Sequence, residues 1–173
     1  RGKLFLHVNE NNMMNKKILF CSLIGLFLLG CSNSDDDSKD MEKPVIDMSG
    51  SEASPRNCVV LYRGESFSFR AVFSDNQELG NYNIEIHNNF DHHSHSTDNV
   101  ECDLGPKKSP VNAFIYNQDF PVPPGKTMFE ADQEIEIPAD VDTGDYHFMV
   151  RVTDKAGWQQ LRAISLKIAE RGD

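Results

Sequence analysis

The amino-acid sequence predicts an all-β fold, an antiparallel sandwich of about seven strands. From residue 44 onward, apolar and polar side chains alternate with a period of two in runs of about five to nine residues. Turn-forming residues separate these runs, and no segment carries apolar residues at the spacing of a helix. One apolar and one polar face per strand, with short connections, is typical of antiparallel sheets packed on a shared core.

Five alternating segments are expected to form the main strands. The first lies at about 65–74 and places three phenylalanines on one face. The other four are predicted at about 79–87, 133–138, 145–153 and 159–169. The proline-containing connection at 101–126 is expected to hold an edge strand near Ala113–Tyr116, because proline is tolerated at sheet edges.

Two short motifs predict the type of sandwich. The string D-T-G-D-Y at 142–146 resembles the tyrosine corner that begins strand F of immunoglobulin-like domains. The string V-T-D-K-A-G at 152–157 resembles the hairpin between the last two strands of bacterial immunoglobulin-like modules. We therefore expect an immunoglobulin-like β-sandwich at 43–169, followed by a C-terminal tail at 170–173.

The N-terminal part has the organisation of an export signal. Two lysines precede a largely apolar stretch at 18–29, which is shorter than a membrane-spanning helix requires. The stretch ends in L-L-G-C, which resembles a bacterial lipobox, a signal that is cut before the cysteine and lipidated on it. We predict a signal peptide at 13–30 and lipidation of Cys31, and we expect residues 1–12 to be upstream sequence. An ordinary signal peptide with a coincidental cysteine is the alternative.

Residues 31–42 are expected to form an acidic, flexible tether, because small polar and acidic residues do not pack into a core. The acidic run after Cys31 resembles the signal that sends Bacteroidota lipoproteins to the cell surface. This resemblance implies an outer-membrane lipoprotein, anchored in the membrane by its N-terminal lipid and exposed at the cell surface. An outer-membrane receptor or another surface protein is the expected partner.

The overall charge excludes one class of partner. The chain of 173 residues carries 17 Lys and Arg against 27 Asp and Glu, a net charge of −10. Binding to a phosphate backbone depends on clustered basic side chains. We therefore expect no interaction with nucleic acid.

The cysteines allow two interpretations. With Cys21 in the predicted signal peptide and Cys31 lipidated, Cys58 and Cys102 remain. Two thiols in an exported domain are able to pair as a disulfide. Two free, buried cysteines fit the sequence equally well, because sequence spacing does not show whether they are close in space.

Histidines are concentrated in one segment, with four of the six in the chain at 87–95. His87 is expected to end strand C and His147 to begin strand F, both on the outward face. These strand ends are neighbours in an immunoglobulin-like sheet, so the two imidazoles should lie close together. The loop after His87 would carry His93 and His95 over the same end. The predicted metal ligands are His87, His93, His95 and His147, with Asp91 and His92 as further candidates.

The residue types indicate which ion such a site prefers. Imidazole suits zinc and copper(II), whereas the lack of thiolates disfavours copper(I) and the shortage of carboxylates disfavours calcium. A zinc or copper ion is therefore the expected cofactor. Asp91 would bind the ion or orient an imidazole, and Glu85 and Asp145 are weaker candidates for orienting one. A solvated polar loop and a pH-responsive patch are the alternatives to a metal site.

The sequence favours binding over catalysis. It has no recognisable Ser or Cys nucleophile beside a base, so we expect a non-enzymatic protein for metal capture or handover. The alternative is an adhesive or structural module that contacts a glycan or protein, with splayed histidines and a flat patch near Trp158. A small metalloenzyme is a third possibility, which needs an open coordination position and a nearby general base. Asp75 and Asp154 are expected to be turn residues.

Four segments carry a resemblance to a known family. The stretches at 43–46, 84–91, 135–139 and 144–148 together resemble the Bacteroidota lipoproteins grouped as domain-of-unknown-function family 4625. The resemblance covers nearly all of 43–169, and H-N-N-F-D and D-Y-H-F are its most specific strings. It implies an exported immunoglobulin-like lipoprotein and says little about activity.

Overall fold

A computed structural model describes most of the predicted domain. The described residues are 39–95, 97 and 100–172. They belong to a compact unit that starts at Asp40. The expected upstream segment, the signal peptide, Cys31 and the tether up to residue 38 lie outside the described residues. Within the described ranges, no helix has the length and apolar character needed to cross a membrane.

The described residues form eight strands in two sheets. In chain order the strands are β1 (Val45–Asp47), β2 (Val59–Tyr62), β3 (Ser66–Ser74), β4 (Leu79–Asn88), β5 (Tyr116–Pro121), β6 (Met128–Glu136), β7 (Gly144–Asp154) and β8 (Gln159–Ala169). One sheet has the order β1-β3-β6 and the other the order β2-β8-β7-β4-β5. Neighbouring strands are antiparallel except β2 and β8, which are parallel. The predicted all-β sandwich is confirmed.

Aromatic side chains join the two sheets. Phe69 and Phe73 of β3 are fully buried because the period-two alternation directs both toward the second sheet. The ring of Phe69 lies 5.5 Å from that of Phe148 in β7, and the ring of Phe73 lies 5.0 Å from that of Tyr82 in β4. Burying each such ring contributes about 1.5–3 kcal/mol. The core therefore holds β4 and β7 rigidly from their inner side.

The tyrosine corner fixes the start of β7. The Tyr146 hydroxyl donates a hydrogen bond to the Asp142 carbonyl at 2.6 Å and accepts one from the Phe114 amide at 3.2 Å. This is the contact that the D-x-G-x-Y string predicts for strand F of an immunoglobulin-like domain. It positions the backbone one residue before His147.

The predicted edge strand near Ala113–Tyr116 is wrong in its position. The strand begins at Tyr116, which pairs with Ile86, and ends at Pro121. The apolar side chain of Phe114 is instead buried in the loop before it. Polar residues form the strand itself because it lies at an open edge, where the Asn83 amide donates hydrogen bonds to the side chains of β5.

Three other elements differ from the sequence prediction. β6 starts at Met128 rather than near 133, because Ala131 and Gln133 on its inner face are small or polar and weaken the apolar alternation. β1 and β2 were not predicted, and their three and four residues are too few to show a period. The packed domain also starts earlier than residue 43, since Asp40 is buried and its carbonyl accepts a hydrogen bond from Trp158 Nε1 at 2.9 Å.

Candidate metal centre

His87 and His147 form a cross-strand pair. The register of β4 and β7 places the two residues directly opposite each other, as the topology predicts. Their ring centroids are 5.6 Å apart. Both side chains lie on the face of the sheet that points away from the core, because the flanking residues Ile86, Tyr146 and Phe148 belong to the core.

The loop after β4 folds back over this outer face. His92 has a left-handed backbone with φ of 62°, and its amide donates a hydrogen bond to the Asn89 carbonyl at 3.2 Å. This tight turn reverses the chain direction. Further along, the Thr97 amide donates a hydrogen bond to the Ala163 carbonyl of β8 at 2.9 Å. Both contacts hold the loop across β7.

The turn brings four imidazoles together. Every pair among His87, His93, His95 and His147 has ring centroids between 4.9 and 5.6 Å apart. Ligand nitrogens of His87, His93 and His95 all lie within 4.8 Å of one another. The cluster of these four side chains is hereafter called the histidine cluster.

Two carboxylates lie beside two of the rings. Nδ1 of His93 contacts Oδ1 of Asp91, and Nδ1 of His87 lies 3.0 Å from Oε1 of Glu85. An ionised carboxylate only accepts hydrogen bonds, so Asp91 places the imidazole proton of His93 on Nδ1 and leaves its Nε2 with a free lone pair. The contact of His87 with Glu85 is close but lacks hydrogen-bond geometry. The Nε2 atoms of His87 and His93 face each other at 3.2 Å.

His147 has a different environment from the other three. It is almost fully buried, with 2% of its surface exposed, because the loop covers the outer face of β7. Its Nε2 donates a hydrogen bond to the His93 carbonyl at 3.0 Å. That nitrogen therefore holds the loop in place, while Nδ1 has no hydrogen-bond partner among the described residues.

Burial also affects the protonation of the cluster. Desolvation lowers the pKa of His147, and the neighbouring imidazoles lower it further, although the bond to the His93 carbonyl opposes them. Desolvation likewise lowers the pKa of His87, opposed by the charge of Glu85. Both rings are thus biased toward the neutral form that binds metals.

Two of the weaker candidates lie apart from the cluster. Nε2 of His92 is 3.8 Å from Oδ2 of Asp145, on the other side of the turn. Asp145 is buried, accepts a hydrogen bond from the Gly105 amide at 2.7 Å and lies 3.6 Å from Nζ of Lys167. Asp145 therefore holds the long connection to the sheet and does not contact the imidazoles of the cluster.

Cys58 and Cys102 form a disulfide, with their Cα atoms 5.3 Å apart. The sequence left open whether these two cysteines are bonded or free, and in the structure they are bonded. The bridge joins the residue before β2 to the segment that follows the histidine loop. It also means that neither sulfur is a thiolate able to bind a metal.

A second group of potential ligands was missed by the sequence analysis. Carboxylate oxygens of Asp40, Asp75 and Asp154 lie within 4.8 Å of one another. Asp75 and Asp154 do act in turns, as predicted, since each accepts main-chain hydrogen bonds there. The order of the strands could have predicted that Asp75 and Asp154 lie close together, because they flank the neighbouring strands β4 and β7 at one end of the sheet. The sequence has no signal that adds Asp40.

The fold and the site define a class, an immunoglobulin-like sandwich with a histidine cluster on the outer face of one sheet. Residues 30–169 match the model of a family described as "Domain of unknown function (DUF4625)", and the chain belongs to that family. No curated protein matches the chain. Among solved structures it is similar to one described as "GspB Siglec domain", with 20% identity and a TM-score of 0.41. That match covers 78% of this chain and 61% of the other.

Proposed function

We propose that this protein is a lipid-anchored, exported domain that binds a zinc or copper ion through its histidine cluster, for metal capture or handover. The observation that carries the proposal is the pair of Nε2 atoms of His87 and His93, which face each other at 3.2 Å. Two nitrogens bound to one tetrahedral zinc ion at about 2.05 Å lie about 3.3 Å apart. The spacing of the two atoms therefore matches a shared ion.

The electrostatics of the pair support the same proposal. Asp91 places the proton of His93 on Nδ1, so the lone pair on Nε2 of that ring points at Nε2 of His87. Two imidazole nitrogens this close require a proton or a cation between them. A metal ion would satisfy both nitrogens at once, and the negative charges of Asp91 and Glu85 would increase the basicity of the rings that bind it.

The ligand set favours a late transition metal that exchanges readily. His87, His93 and His95 supply three nitrogens, a set that suits zinc or copper(II). Three protein ligands leave one coordination position for water or for a ligand from another molecule. His95 is exposed to solvent, so an ion is accessible from outside. Accessibility of this kind suits uptake and release of the ion.

We propose binding rather than catalysis because the nearby carboxylates are already engaged. Asp91 and Glu85 each contact an Nδ1 atom of the cluster, away from the Nε2 atoms that would hold the ion, so neither is placed beside a metal-bound water as a general base. The proposed partners are an outer-membrane receptor or another surface protein that receives the ion. Anchoring through Cys31 would keep the domain at the outer membrane, close to such a partner.

The test is the metal content of the full chain without an affinity tag, purified in a non-ionic detergent and equilibrated with trace zinc and copper. Plasma mass spectrometry should find about one ion per chain. The double variant His93→Ala/His95→Ala should bind none, because it loses two of the three ligands. His92→Ala is the matched control, since it removes an imidazole from the same loop outside the cluster, and it should bind as the unaltered chain does.

Negligible metal in all three proteins would overturn the proposal and favour an adhesive or structural module. The surroundings of Trp158 give that alternative little support. Its indole is partly buried, and its Nε1–H is already donated to the Asp40 carbonyl. It is therefore not presented as a flat platform for a sugar ring.

A further inference from the structure

Three aspartates converge at the end of the sandwich opposite the histidine cluster. Asp40 lies where the chain enters the domain, Asp75 follows β3, and Asp154 ends β7. Each offers a carboxylate oxygen, and these three oxygens lie within 4.8 Å of one another. Asp154 of β7 pairs with Leu79 of β4, whereas His147 and His87 pair at the other end of the same two strands.

One oxygen of each carboxylate is held by main-chain or side-chain N–H groups. Oδ2 of Asp75 accepts hydrogen bonds from the amides of Gln77 and Glu78, both at 2.9 Å. Oδ1 of Asp40 accepts one from the Glu42 amide and one from the Asn76 amide group, both at 3.0 Å. These bonds fix the direction in which the remaining oxygens point.

Asp154 is the most informative of the three. It is 4% exposed, and its Oδ1 accepts hydrogen bonds from the amides of Gly157 and Trp158 at 2.6 and 2.8 Å. Its Oδ2 is buried and has no hydrogen-bond partner among the described residues, and the same is true of Oδ1 of Asp75. A buried anionic oxygen without a partner is strongly unfavourable.

No basic side chain compensates these charges in the described part of the chain. The ion pairs formed there by Lys and Arg involve other acidic residues. Three carboxylates within 4.8 Å of one another repel each other, most strongly where water is excluded. A bound cation would remove the repulsion and complete the coordination of the unpartnered oxygens.

We propose that Asp40, Asp75 and Asp154 bind a calcium ion. The ligands are all carboxylate oxygens, which calcium prefers, whereas imidazole is the better ligand for zinc and copper. Magnesium demands near-ideal octahedral geometry and keeps several of its waters, so a set of carboxylates supplied by three separate segments of the chain suits calcium better. The ion joins the segment before β1 to two turns of the sandwich. It thereby orders the end of the domain at which the chain enters.

The first test is thermal unfolding of the full chain in detergent, after treatment with a chelator and titration with calcium. Millimolar calcium should raise Tm by about 5 °C or more, because the ion binds the folded state alone. Magnesium at the same concentration should have a much smaller effect. No rise with calcium, or an equal rise with magnesium, would overturn the assignment.

Isosteric variants separate binding from a merely structural role. Asp154→Asn keeps the acceptor for the two amides but removes the charge, so without calcium it should be at least as stable as the unaltered chain. In calcium it should show no rise in Tm. Glu130→Gln, a charge change at an exposed position of β6, is the matched control and should retain the full rise. A rise retained in Asp154→Asn would overturn the proposal.

Terbium luminescence gives a readout that depends on position. Terbium(III) replaces calcium in oxygen sites and emits strongly when a nearby indole is excited. Trp158 is the only tryptophan of the chain, and it contacts both Asp40 and Asp154. Excitation of Trp158 should produce terbium emission that calcium suppresses, that Asp154→Asn abolishes and that His93→Ala/His95→Ala leaves unchanged. Emission lost in the histidine variant, or retained in Asp154→Asn, would contradict a separate aspartate site.

Discussion

At the scale of single residues, the protonation of the histidines decides what the cluster is able to bind. Asp91 places a proton on Nδ1 of His93, which frees Nε2 of that ring. His147 is held in the opposite way, since its Nε2 donates to a carbonyl. The same residue type would therefore serve as a ligand at one position and as a support at another.

The burial of His147 predicts a pH dependence for the metal-free protein. Desolvation lowers its pKa in the folded state below the value of 6.5 for a solvated imidazole. The unfolded chain therefore takes up a proton first, so the stability contributed by neutral His147 is complete above about pH 6.5 and is lost as the pH falls through the folded-state value. The groups that face it are the three other imidazoles of the cluster.

Urea unfolding in the presence of a chelator, at several pH values from 7.5 to 5.5, measures this dependence. The free energy of unfolding should decrease toward the lower pH. His147→Gln keeps a side-chain amide able to donate to the His93 carbonyl, yet it does not titrate. Its stability should therefore depend less on pH, and an identical slope in both proteins would contradict the assignment.

Residue type and strand phase were sufficient to predict which imidazoles meet. The sequence placed His87 and His147 on the same face of adjacent strands, and the register has them directly opposite. It did not predict that Nε2 of His147 bonds the loop carbonyl. That contact depends on the left-handed backbone of His92, a conformation that is uncommon for any residue other than glycine and that the sequence therefore did not indicate.

At the scale of elements, the disulfide restrains the long connection that begins with the histidine loop. Cys58 and Cys102 are separated by 44 residues, and the bridge encloses both β3 and β4. Closing a loop of this length reduces the entropy of the unfolded chain, an effect of roughly 4 kcal/mol in the chain-entropy description.

The double variant Cys58→Ser/Cys102→Ser should therefore lose roughly 3–4 kcal/mol of unfolding free energy, measured by urea unfolding in a chelator. A reducing agent should destabilise the unaltered chain by a similar amount and leave the variant unaffected. Equal stability of the two proteins would mean that the other contacts of the connection already restrain it.

Elements with a clear alternation were predicted well, and those at the edges were not. β3, β4, β7 and β8 each direct alternate apolar side chains into the core over nine residues or more, which makes their period visible in the sequence. β5 is held beside β4 by backbone pairing and by polar side-chain contacts at an open edge of the sheet. Its position is therefore set by tertiary structure, which overrides local apolar character.

At the scale of the whole molecule, the proposed anchor predicts where the protein is found. Cells that express the full chain and receive a labelled fatty acid should attach the label to it, and the protein should sediment with membranes. Cys31→Ser should abolish both properties, because a lipid is attached through the thiol. Cys21→Ser is the matched control, since that residue precedes the predicted cut, and it should retain the label.

A soluble, unlabelled protein from the unaltered gene would contradict lipidation and favour an ordinary signal peptide. It would not affect the proposed metal sites, because their ligands all lie in the compact unit that starts at Asp40. The proposed lipid anchor and the proposed metal sites can therefore be tested independently.

The length of β7 gives the domain two chemically different ends. His147 and Asp154 are seven residues apart on this strand, which corresponds to about 23 Å. The chain enters beside Asp154, so the imidazoles lie at the far end. The imidazoles and the aspartates share no ligand, so an ion bound at one end of the domain would leave the coordination of an ion at the other end unchanged.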